Sequence, residues 1–68
     1  MALIESDAIA EIDYQLESST LFVRFAHGGW YSYFMVPPNV HAAFLAADSH
    51  GGFFQDNIRS RYPYRRGR

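Results

Sequence analysis

Cysteine is absent from the chain. That excludes disulfide staples and thiolate metal sites, and it makes a reducing compartment fully compatible with the composition. Lysine is absent as well, so every cation is an arginine fork and none is an ammonium point charge. No basic region precedes a continuous apolar stretch, which argues against a secretory leader and leads to the expectation of a cytoplasmic protein. Residues 25–47 contain no Asp, Glu, Lys or Arg. Glycines, prolines, Asn39 and two histidines interrupt them, so no membrane-spanning helix is expected there. Histidine is sparse: His27, His41 and His50 have no His or carboxylate partner at metal-ligand spacing. They read as solvated loop and helix residues, and neither metal nor other cofactor is expected.

Aromatics are what the chain has in abundance. Six phenylalanines, five tyrosines and one tryptophan fall within 68 residues. A chain this short sits near the lower limit for unaided folding, so residues 1–68 read as one domain whose aromatics are mostly core.

The net charge of −1 conceals an asymmetry. Glu5, Asp7, Glu11, Asp13 and Glu17 lie in the first 17 residues, which hold no basic residue. Arg59, Arg61, Arg65, Arg66 and Arg68 lie in residues 59–68, which hold no acid, and only Arg24 stands elsewhere. Such a split points to a tail for nucleic acid or another acidic partner, or to pairing between the two ends.

Ala10, Ile12, Tyr14 and Leu16 alternate with polar residues and predict a half-buried strand. Leu21, Val23 and Phe25 share one face of a second strand, with Phe22 and Arg24 on the other. After His27-Gly28-Gly29, Tyr31, Tyr33 and Met35 share a face opposite Trp30, Ser32 and Phe34. Short connections make this a three-stranded antiparallel meander. Pro38 suits the first turn of a helix carrying Val40, Ala43, Phe44 and Ala47, and residues 49–52 are expected to end it. Phe54, Ile58 and Tyr62 at four-residue steps predict a second short helix, and Pro63 then starts an extended, partly mobile Arg-rich tail over 63–68. The fold class is α+β, ordered β-β-β-α-α.

Catalytic signals are weak. Asp48-Ser49-His50 has the residue types of a hydrolase triad, but adjacency in sequence does not put a base on a nucleophile. Gly28-Gly29 and Gly51-Gly52 lack any phosphate-loop context and read as turns. Two features carry binding chemistry. Phe22, Arg24, Trp30 and Phe34 share the second sheet face, which would stack bases, drive self-association or be buried internally. The tail (IRSRYPYRRGR, residues 58–68) offers arginine forks for phosphate with Tyr62 and Tyr64 interleaved, or it rests against the acidic first strand.

With these residues placed, the chain resembles a KTSC domain, a family named for a C-terminal domain of some lysyl-tRNA synthetases. The matching elements are Leu21-x-Val23-x-Phe25, Tyr31-x-Tyr33, Val36-Pro37, Ala47-x-Ser49-x-Gly51, Phe54 with Ile58-Arg59, and Tyr62-Pro63-Tyr64-Arg65-Arg66. Together they span residues 9–66. Gln55 stands where the family pattern leads one to expect asparagine. The resemblance implies RNA as a ligand class. The expectation is therefore a small non-enzymatic module binding RNA or another single strand through Arg24, Arg59, Arg61, Arg65, Arg66, Tyr64, Phe22 and Trp30. The alternative is a protein-interaction or self-association module that uses the same aromatic face, as in a homodimer. No membrane partner is expected. If all five tail arginines met phosphates, affinity would fall with log salt at a slope no steeper than about −3.5.

Overall fold

Alternating β-branched and aromatic residues build three long strands, and Pro38 and Ser49 start the two helices that cover one face of the resulting sheet. The computed structural model describes residues 2–4 and 7–68, so Glu5 lies outside the described residues. The elements are β1 (Ala2–Leu3), β2 (Ile9–Gln15), a 3-10 turn (Leu16–Ser18), β3 (Thr20–Phe25), β4 (Gly29–Tyr33), α1 (Pro38–Ala46), α2 (His50–Asn57) and β5 (Tyr64–Arg66). All strand neighbours are antiparallel, in the order β1-β2-β3-β4-β5.

The expected α+β class and the meander are present as β2, β3 and β4. Two edge strands widen the sheet beyond three. β1 is two residues long and β5 three, too short to carry a readable period, and β5 is written in residues that otherwise read as a solvated tail. The segment expected to trail away is extended, and it pairs with β4 from Tyr31↔Arg66 to Tyr33↔Tyr64.

Register assigns the faces. Ile12, Val23, Tyr31 and Arg66 line up across four strands, as do Tyr14, Leu21, Tyr33 and Tyr64, on the helix side. Asp13, Phe22, Ser32 and Arg65 line up on the opposite side. A bulge between Ile9 and Glu11 inserts one residue and puts Ile9 on the helix side with Ile12, both fully buried. That departs from the simple alternation from Ala10 onward, and Leu16 is exposed in the 3-10 turn. Met35 leaves the expected face as well: at φ +60° it turns outward and is 70% exposed.

α1 begins at Pro38 as expected, and Phe44 is its fully buried anchor, although Ala43 is exposed. Residues 49–52 begin a helix where they were expected to end one. Ser49 caps α2, its Oγ accepting from the Gly52 amide at 3.0 Å, so Gly51 and Gly52 lie in the first turn. Phe44 stacks on Phe53 at 5.5 Å, and Phe54 meets Phe25 and Tyr33 edge-on at 5.1 and 5.4 Å.

His41 is not simply solvated. Its ring stacks on Tyr14 at 4.6 Å, and the Tyr14 hydroxyl donates to the Val36 carbonyl at 2.6 Å, pinning the start of α1 to β2. Burial lowers the His41 pKa, outweighing the opposite pull of Asp13. The folded chain therefore binds fewer protons here than the unfolded one. The associated stability is complete above the ordinary value of 6.5 and is lost as pH falls through the lowered one. The melting temperature should drop between pH 7 and pH 5, and His41→Gln should flatten that drop. An unchanged pH profile in the variant would contradict the assignment.

Candidate functional site

The two helices leave the β4–β5 end of their sheet face uncovered. There the chain forms an open cleft of about 680 Å³, lined by Phe25, Gly28, Tyr31, Tyr33, Phe54, Gln55, Arg59, Ser60 and Tyr64. Alternation along β4 puts Tyr31 and Tyr33 on the same face, and β5 lays Tyr64 beside both, with ring centroids 6.0 and 5.6 Å away. Tyr33 is the floor, only 3% exposed, whereas Tyr64 is a wall at 59%. Among the described lining residues there is no Asp or Glu.

Two arginines flank this aromatic floor. Arg59 follows α2 and donates through Nη1 to Gln55 Oε1 at 2.9 Å. Arg66 donates through Nε to the Tyr31 hydroxyl at 3.1 Å, with its guanidinium 5.9 Å from the Tyr31 ring centre. Burial pushes the Tyr33 hydroxyl up to about 12, with neighbouring Tyr31 and Tyr64 adding to the effect. It stays protonated at neutral pH and has the character of a donor, not a base.

The opposite face is arranged differently. Arg24 is tied to Glu11, Nε to Oε1, at 2.8 Å. Phe22 and Trp30 are half-buried, and the Arg68 guanidinium lies over both rings, 4.3 and 4.6 Å from their centres. Arg68 also pairs with Asp13. Burial alone would raise the Asp13 carboxyl, but the Arg68 guanidinium and the Tyr14 amide outweigh it and hold the group below its ordinary value. Arg65 is exposed on this face, opposite Ser32, and Arg61 turns away to the Asp56 carbonyl at 3.3 Å.

Of the residues expected to bind nucleic acid, the structure thus gathers Tyr64, Arg59 and Arg66 at one cleft. It leaves Arg24, Phe22, Trp30 and Arg65 on the far face, and Arg61 apart from both. The far face is no open platform, because the chain after β5 folds back across it. From the sequence, Tyr31 and Tyr33 read only as sharing a strand face among aromatics that are mostly core, and neither Phe54 nor Gln55 carries a binding signal. What brings these side chains together is the pairing of residues 64–66 with β4, which three residues are too short to announce. Read as a strand, Tyr64 and Arg66 fall on the Tyr31–Tyr33 face.

Comparison with known proteins agrees with this architecture. The KTSC domain profile matches residues 5–62. The chain belongs to the KTSC family. A solved KTSC domain protein from Yersinia pestis superposes with a TM-score of 0.92 at 31% identity, over 94% of this chain and 90% of that one. A protein of Tsukamurella paurometabola is 37% identical over 62 residues, covering 91% of this chain and 92% of the relative. An uncharacterized protein of Stutzerimonas stutzeri is 35% identical over 59 residues, 87% of this chain and 83% of the relative. The KTSC profile stops short of β5, the strand that completes the tyrosine cleft. No helix among the described residues is long and apolar enough to cross a membrane, and no group of three or more potential metal ligands occurs among them.

Proposed function

We propose that this KTSC domain is a non-enzymatic module that binds single-stranded nucleic acid, RNA first, at the tyrosine cleft. The observation that carries this reading is a cleft lined by Tyr31, Tyr33 and Tyr64 and flanked by Arg59 and Arg66, with no carboxylate among the described lining residues. Any base can stack on a tyrosine ring, and guanidinium forks suit the phosphates on either side. The cleft volume falls within the roughly 300–1,000 Å³ usual for ligand sites. A protonated Tyr33 and the lack of His, Asp or Glu among the described lining residues favour binding over general-base chemistry. A cysteine-free composition suits the cytoplasm, where we place it. Self-association through Phe22 and Trp30 takes second place, since Arg68 already covers those rings.

The geometry sets the salt dependence. Two arginines at the cleft neutralise two phosphates, giving a slope of about −1.4 in log affinity against log salt for a single strand. Anisotropy titrations of a labelled RNA octamer at two salt concentrations measure it, with dissociation constants expected near 10⁻⁴ M at physiological salt, the weak end of the non-specific range. A slope near −3.5 would place the contact on all the tail arginines, and no binding at low salt would overturn the reading.

A further inference from the structure

β5 is an unpromising strand. It has three residues, all of them exposed, at the edge of the sheet, and such an edge frays unless something beyond it holds on. The next two residues do. The Gly67 amide donates to the Trp30 carbonyl at 2.7 Å, and the Gly67 carbonyl accepts from Ser32 Oγ at 2.7 Å. This bond satisfies a serine that is only 1% exposed. Gly67 sits at φ +94°, where a side chain would be strained. Arg68 then lies across the far face of the sheet, over Phe22 and Trp30, and closes on Asp13.

These three groups are complementary to a guanidinium in particular. Two ring faces take its flat, weakly hydrated surface, and a carboxylate takes its N–H edge. Meanwhile β5 presents Tyr64 on the opposite face, against Tyr33 in the cleft. We propose that Phe22, Trp30 and Asp13 form an arginine slot that latches β5 to β4, and that Arg68 is thereby a positioning residue for Tyr64 across the sheet. The latch itself is independent of any ligand. Its consequence for binding rests on the function proposed above.

Amide exchange in the ligand-free protein reads the latch directly. In Arg68→Ala the Gly67 amide should exchange at least tenfold faster, and cross-peaks between the Tyr33 and Tyr64 rings should weaken, while the β2–β3 amides stay protected. Trp30 is the sole tryptophan and reports the slot by its fluorescence. Millimolar methylguanidinium should restore the parent emission and part of the Gly67 protection in Arg68→Ala, and methylammonium should not. Arg68→Lys keeps the charge but loses the flat fork, and should behave like alanine in the exchange measurement. Unchanged Gly67 exchange in both variants would overturn the latch, as would rescue by methylammonium equal to that by methylguanidinium. Faster exchange with weaker RNA affinity supports both the latch and its coupling to the cleft. Faster exchange with unchanged RNA affinity would overturn the coupling and leave the latch in place.

Discussion

Phe44→Ala is expected to cause the largest loss of stability of any single substitution considered for this domain. Phe44 is fully buried and joins α1 to α2 through stacking on Phe53. Truncating a buried phenylalanine costs about 3–5 kcal/mol, because apolar contact is lost and a cavity remains. A domain of 68 residues has a total stability of roughly 3–10 kcal/mol at about 0.05–0.15 kcal/mol per residue. The substitution therefore removes between about a third and all of what holds the fold. Circular dichroism with urea titration measures it, and a midpoint close to the parent's would show that the two helices do not depend on this ring.

The largest effect on binding is expected from Tyr31→Ala. Tyr31 is half-buried at the cleft, stacked obliquely beside Tyr64 and bonded to Arg66. Losing a stacked base is worth about 1–3 kcal/mol, so RNA affinity should fall roughly 5- to 150-fold. The fold should survive in a weakened form. Tyr31→Phe separates the two contributions: stacking is kept, the Arg66 acceptor is lost, and affinity should fall only a few-fold. Equal losses in both variants would mean that the hydroxyl, not the ring, makes the contact. Tyr33→Ala is unsuited to this purpose, because Tyr33 is buried against Phe54 and its loss would disturb folding first.

Much of this was legible in the sequence. Leu21, Val23 and Phe25 on one face with Tyr31 and Tyr33 follows from strict alternation around a short Gly-containing loop, and the structure keeps that register. Pro38 marks the start of α1 because its missing amide costs nothing there. The glycines after Ser49 look like terminators, yet a serine just before them is itself a helix cap. The cleft was hidden for a different reason. It depends on residues 64–66 pairing with β4, and three residues ending in two arginines carry no apolar period. The cover over Phe22 and Trp30 was equally hidden, since it comes from a side chain distant in sequence whose path is set by one residue, Gly67, in a left-handed conformation. The expectation that the basic tail rests against the acidic first strand does have a counterpart in the pairing of Arg68 with Asp13.

The central claim is that nucleic acid binds the tyrosine cleft and not the Phe22–Trp30 face. Chemical-shift mapping of the labelled protein with a short single-stranded RNA at low salt tests it most directly. The account predicts shifts centred on Tyr31, Gln55, Arg59 and Tyr64, with the Phe22 ring and the Trp30 indole little changed. Shifts centred on Phe22 and Trp30, or none at saturating RNA, would contradict it.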